Sequence, residues 1–538
     1  MLRKACAIWR DSNEPWREFP RPVVTKSEQT KHSRIMAASI ESLLTEISSS
    51  EDPLEALRNL RTAVLATPVN NLRGLGSSSR LEGIFSLLNT TDKEQIEVCV
   101  EVLGRILQAQ DPALLFHARK AELESGLEHP DDTVKLLTLT QMGRVVQNGE
   151  ALTQVLACEE IMKKIIQCIA AEKISVAKEA ISTLVKLAQS KPGLDALFST
   201  HLTELKDVMA TSDVIRYRVY ELVVDLCSMS AVSLGYCASS GFIPQLLEEM
   251  TGDDVLVRVT AIETVTHLAE SQHGRHYLAQ QGTMEHISNM IIGAESDPFS
   301  SLYMPVLVKF FGKLALLEGP QQVCECYPAF LSTVYDMLLG SDPTHTNVAL
   351  DTVGALGATV EGKQVLHKTG ERFNAVLRRM SKIANDGPTD IRARCLDAIA
   401  LLLSLPAEEQ TEDLCVLSET WFCSLSSQPM EMFRNISTQP FPELYCGALR
   451  VFTAIGAQAW GQKMMIQTPG FLEWIVDRSS RTTKEAKDAK FALVGALASS
   501  PTTQEVLGSH NALRLRTYLR EGPYYVNAVA TVMTEGAD

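Results

Sequence analysis

Residues 174–188, ISVAKEAISTLVKLA, place Ala177, Ala180, Ile181, Leu184, Leu187 and Ala188 at spacings of three and four. Lys178, Glu179, Ser182, Thr183 and Lys186 occupy the other side. This is the pattern of an amphipathic helix with one buried stripe. Blocks of the same kind recur as EVLGRIL, LTQMGRVV, ELVVDLC, ETVTHLA, FFGKLAL, DTVGALG, DAIALLL, RVFTAIG and FALVGALA. One equivalent position in each gives Ile106, Val145, Leu187, Leu226, Leu268, Leu314, Leu356, Leu402, Ile455 and Leu497. Successive members of the series lie 39 to 53 residues apart, about 43 on average. No alternating strand pattern competes with it.

The residues after each block repeat as well. A glycine, a short apolar helical turn, a second break and a third apolar helix can be read in GLDALFSTHLTEL from Gly193, GYCASSGFIPQLL from Gly235, GRHYLAQQGTMEHI from Gly274, GKQVLHKTGERF from Gly362 and GQKMMIQTPGFLEWI from Gly461. These glycines are expected to stop one helix and permit a tight turn into the next. Three helices in about 43 residues predict an all-α, armadillo/HEAT-like α-solenoid superhelix of about eleven repeats. Residues 36–538 form one such solenoid, with 36–100 and 505–538 as capping ends. A stretch at 405–440, rich in acids and prolines, accounts for the longest interval and is expected to be an inserted, mobile loop in which Trp421 and Phe422 pack. Residues 1–35 carry eight basic and four acidic residues, three prolines and no sustained apolar period, so they are expected to be a disordered extension ahead of a natural start at Met36.

Over 538 residues the hydrophobic fraction is 45% and the charged fraction 21%, enough apolar material for a large core. The net charge of −15 has the wrong sign for a nucleic-acid or anionic-membrane footprint, so neither is expected as a partner. The longest uncharged stretch of note, Leu226–Leu247, is interrupted by serines and Pro244 and predicts no membrane span. No secretory leader is legible, so the expected place is the cytosol, with the nucleus as a second compartment. Twelve cysteines scattered through helical patterns read as reduced, buried side chains. Arg478, Arg481, Lys484, Lys487 and Lys490, interrupted by Glu485 and Asp488, read as a solvated face.

Candidate chemistry is sparse. There is no G-x-x-x-x-G-K phosphate loop and no G-x-S-x-G elbow. Cys324-x-Cys326 lacks a second ligand pair, and His267, His273, His276 and His286 lack a partner at metal spacing. Neither an enzyme, a metal nor a cofactor is expected.

The stretches MAASIESLLTEISSSEDPLEALRNL from Met36, SSGFIPQLLEEMTGDDVLVRVTAIETVTHLAE from Ser239 and GFLEWIVDRSSRTTKEAKDAKFALVGALASSP from Gly470 carry a closer resemblance. From Met36 to Asp538 the chain resembles the family of 26S proteasome non-ATPase regulatory subunit 5; residues 1–35 have no counterpart in it. The resemblance implies a chaperone for assembly of the base of the proteasome regulatory particle. It implies as partners the C-terminal domain of an ATPase subunit, held in a concave groove until release before completion, and other base subunits. A general armadillo scaffold or a nuclear-transport adaptor is the alternative; the adaptor's ladder of groove tryptophans is missing, since only Trp421, Trp460 and Trp474 lie in the repeats. The protein is expected to be a monomer. If the third helix of a unit lines the groove, the apolar positions Ile243, Leu246, Leu247 and Met250 turn inward and leave Gln245, Glu248 and Glu249 for a partner, with Asn289 and Arg378 on equivalent helices.

Overall fold

The ten repeat positions from Ile106 to Leu497 are all buried, none more than 5% exposed, so the period read from the sequence is the period of the packing. A computed structural model describes residues 40–47, 53–73, 75, 81–479 and 483–525. The extension 1–35 lies outside them. The described residues form helices joined by short turns, with no strand among them, and the architecture is an all-α solenoid.

The chain divides into two compact units, one up to Leu226 and one from Cys227. In the first, the long helices Pro53–Ala66, Lys93–Gln108, Asp132–Val145 and Ile174–Leu187 pack in succession. In the second, the series is Val255–Leu268, Ser300–Glu318, Pro343–Gly357, Thr389–Leu403, Pro442–Gly456 and Lys484–Ser499, each against the next. Between consecutive long helices the chain makes a short helix and then a third one, for example Val360–Lys368 and Glu371–Asp386. Each helix leaves an apolar face that only its neighbours can cover, which is why stability in such a stack is shared between adjacent repeats.

The long helices approach closely because glycines face their neighbours. A Cβ added to Gly354 would lie 3.0 Å from the Ala398 Cα, and one on Gly447 would lie 2.9 Å from the Leu396 Cβ.

The repeated glycines after each long helix act differently from expectation. A Cβ on Gly362 would sit 1.9 Å from the Leu356 carbonyl oxygen, and one on Gly274 2.1 Å from that of Leu268. These glycines lie in the first turn of the short helix, where Thr359 and Ser271 cap their amides at 3.0 and 3.1 Å. They allow two helices to meet at a corner. The positive φ that terminates a helix belongs to the next break, at Gly241 (91°) and Gly282 (69°).

Three further expectations need correction. Residues 405–440 form a 3-10 turn and two helices, Glu412–Leu425 and Pro429–Thr438, in place of a loop. Within them Trp421 and Phe422 pack as expected, Trp421 meeting Phe373 at 5.0 Å between ring centroids and Phe422 meeting Phe433 at 5.8 Å. Thr183 is buried, and its hydroxyl donates to the Leu139 carbonyl at 3.1 Å; a hydroxyl with a backbone partner is tolerated on the packed side. Lys490 is 4% exposed instead of solvated. Among the described residues one helix, Ser300–Glu318, is long and apolar enough to cross a membrane, and Tyr303, Phe310, Phe311 and Leu314 on it are buried in the second unit.

Candidate interaction surface

The third helices of the second unit carry the residues singled out from the sequence. Phe242–Glu249 buries Phe242, Ile243 and Leu246 and leaves Gln245 and Glu248 exposed, as the helical phase requires, with Glu249 half-buried. Asn289 is exposed on Thr283–Ile292. Arg378 is exposed on Glu371–Asp386 but is engaged within its own helix, donating to Glu371 at 2.6 Å. Glu371 also accepts from Asn374 at 3.1 Å, and these neighbours hold its carboxyl below the usual carboxylate range. The helix Pro328–Leu339 packs between those of Asn289 and Arg378. The five residues therefore share a type of helix without converging on one pocket.

A second set of polar contacts runs between the long helices. Arg394 donates to Asp351 at 2.8 Å, Arg450 to Asp397 at 2.6 Å, and Lys313 pairs with Glu270. Each pair joins one repeat to the next. Opposite charges separated by one repeat period were a legible sign of them, since Lys313 and Arg394 each lie 43 residues beyond their partners.

Basic and amide side chains also close the carbonyl ends of neighbouring helices, which an α-helix cannot satisfy by itself. Arg144 donates to the carbonyls of Leu107 and Gln110, each at 2.9 Å, and Arg218 to those of Ile169 and Ala171 at 2.9 and 2.7 Å. In the second unit Lys363, only 2% exposed, donates to the carbonyls of Gly357, Leu401 (3.2 Å) and Leu402 (2.9 Å). Burial pushes its amine down to about 8. Lys490 donates to the Asp477 carbonyl beside the Trp474 ring, and burial likewise lowers it to about 8. Nothing in the sequence marked these two lysines, because a lysine on a helix normally reads as solvent-facing.

No group of three or more His, Cys, Asp or Glu side chains fit to hold a metal exists among the described residues. Cys324 is buried and Cys326 exposed, so the C-x-C pair does not face one point. Burial raises the Cys99 thiol to about 12 and those of Cys168 and Cys324 to about 11, the opposite of what a reactive thiolate needs. His267 contacts Glu270 at 3.0 Å, His276 contacts Gln280 at 2.9 Å, and His273 contacts the Cys227 carbonyl. A cavity of about 620 Å³ is lined by His273, Arg275, His276, Glu318 and Tyr327 among others. Arg275 there is already engaged by Glu318 and by the carbonyls of Ala269 and Glu270.

Comparison with known proteins gives a consistent picture. Residues 36–538 match the family model described as the proteasome non-ATPase 26S subunit. The chain is 52% identical to 26S proteasome non-ATPase regulatory subunit 5 of Homo sapiens over 94% of its own length and 100% of that protein. It is 25% identical to the Drosophila melanogaster protein of the same name over 62% of its length and 64% of that protein. Among solved structures it resembles importin beta, with a TM-score of 0.50 at 15% identity, covering 92% of this chain and 67% of that one. For the structure titled Kap95:Nup1 complex the TM-score is 0.53 at 11% identity, covering 93% and 61%. At such identities the structural likeness speaks to the fold alone.

Proposed function

This chain belongs to the proteasome non-ATPase 26S subunit family, and on that premise we propose that it is a chaperone for assembly of the base of the 26S proteasome regulatory particle. In this reading it holds the C-terminal domain of an ATPase subunit on its helical surface, together with other base subunits, and leaves before the particle is complete. The observation that carries the proposal is the match to 26S proteasome non-ATPase regulatory subunit 5 over that protein's whole length. Two features of the molecule support it. Stacked repeats offer long continuous surfaces for a folded partner. The polar groups buried between repeats are engaged in helix capping and packing, a structural use that leaves the outer faces to recognition. The protein acts by binding, without catalysis and without a cofactor, in the cytosol where such particles are built. Gln245, Glu248, Glu249, Asn289 and Arg378 supply polar contacts.

The test is purification of the full chain from cell extract under conditions that preserve complexes, followed by identification of bound proteins. Recovery of base ATPase subunits in particles lacking the rest of the proteasome is the expected result. Recovery only with finished proteasomes, or of no proteasomal ATPase, would overturn the reading.

A further inference from the structure

Three successive long helices of the second unit, Thr389–Leu403, Pro442–Gly456 and Lys484–Ser499, enclose a groove of about 560 Å³. Its lining includes Ala400, Leu401, Ala454, Ala457, Ala492 and Ala496. Leu401 is 42% exposed and Ala492 is also exposed, so the lining meets solvent. The groove is thus apolar and shallow-walled, with side chains short enough for another backbone to come near. Its polar wall is already neutral, because Asp397 and Arg450 pair with each other across it at 2.5 Å. Its other rim, Ser404 to Ala407, runs directly into Glu408 and Glu409 and then into Glu412 and Asp413. All four acids are exposed, and none forms an ion pair among the described residues.

An apolar trough closed at one end by unpaired carboxylates selects its occupant by shape and charge. There is no sheet edge among the described residues to which a strand could be added and no aromatic side chain in the lining to grip a polyproline segment, whereas an alanine-floored trough suits helix-in-groove docking. Three helices at the usual spacing of about 8–10 Å span roughly 20 Å, the length of about four turns of a docked helix. We propose that this groove seats one amphipathic helix of the ATPase C-terminal domain, its apolar stripe on the alanine floor and a lysine or arginine at the end beside Glu408 and Glu409. The proposal rests on the chaperone reading above and names the place of contact within it.

The experiment uses the full chain and isolated C-terminal domains of the proteasomal ATPase subunits, titrated at low and moderate salt. Ala492→Glu puts a charge on the exposed floor, and Glu408→Lys with Glu409→Lys reverses the acidic end at exposed sites where folding is not at risk. Capture of one domain by the wild type, a loss of at least about tenfold with Ala492→Glu, and a weaker, less salt-sensitive complex with the double lysine variant are expected. If the wild type captures no ATPase domain, the chaperone reading fails and the proposal with it. If the wild type captures one and both folded variants bind it equally well, the chaperone reading stands and the groove assignment is overturned. Sedimentation adds a third arm: a wild-type dimer abolished by Ala492→Glu, with ATPase capture intact, would assign the groove to a second copy of this chain and overturn the proposal.

Discussion

The Nζ of Lys363, on the short helix Val360–Lys368, donates to the carbonyl of Leu402 at the end of the next long helix, 2.9 Å away. Two more carbonyls, those of Gly357 and Leu401, accept from the same nitrogen, so one side chain closes the ends of two long helices. Three acceptors match the three hydrogens of an ammonium.

Lys363→Met should therefore leave buried carbonyls without a donor and cost about 2–4 kcal/mol in unfolding free energy, measured by denaturant titration at pH 7. Its pH dependence gives an independent reading. Unfolding restores the ordinary lysine value of 10.5 from about 8, so between those values the unfolded chain holds a proton that the folded chain has shed. This group's contribution to stability rises with pH across that window, by at most about 1.4 kcal/mol per unit. The stability difference between wild type and Lys363→Met should widen from pH 8 to 10. A constant difference would mean that the amine titrates normally.

The corner glycines predict a contrast between two positions of the short helix. Gly362→Ala would thrust a methyl group against the Leu356 carbonyl and should lower the melting temperature by several degrees. Gly235 lies two residues beyond that place in its own repeat, where Ser233 takes the capped position, and nothing lies within 4 Å of an added Cβ. Gly235→Ala should be neutral or stabilising by about 0.5–1 kcal/mol, as alanine is the better helix former. Equal losses in the two variants would refute the close-approach account.

Leu184 is fully buried on Ile174–Leu187, whereas Lys186 is half-buried near Glu179. Leu184→Asp should cost several kcal/mol, on the order of 3–5, by placing a carboxyl in the packed stripe, and Lys186→Asp less than about 1. Thermal melts of the two variants compare the faces directly.

For the third-helix surface, Glu248→Lys combined with Glu249→Lys should weaken capture of an ATPase C-terminal domain while circular dichroism and melting stay unchanged. Added salt should weaken the wild type in parallel. Undiminished binding by the folded double variant would remove this face from the contact.

The repeat was legible because burial imposes a period: each long helix must hide the same stripe, and Ile106 through Leu497 show it. The interaction surface was less legible for a matching reason. An exposed residue such as Gln245 obeys no periodic constraint, so helical phase tells which way it points without telling what meets it. The insertion misled because acids and prolines at its turns dominate the composition of 405–440, while Trp421, Phe422 and Phe433 between them form the core. Lys363 and Lys490 were hidden because their use depends on the carbonyl ends of other helix segments, brought near only by the stacking.

The aromatic packing that replaced the expected loop also gives the protein a built-in optical label. Trp421, Trp460 and Trp474 all lie in the second unit, each against a phenylalanine, at 5.0 Å from Phe373, 5.6 Å from Phe422 and 5.3 Å from Phe471. The first unit, among the described residues, contains none; Trp9 and Trp16 fall outside them. In a chain truncated to begin at Met36, tryptophan emission reports the unfolding of the second unit alone, whereas far-ultraviolet dichroism reports the helices of both. A gap between the two melting curves would measure directly how far one half of the chain can come apart while the other holds.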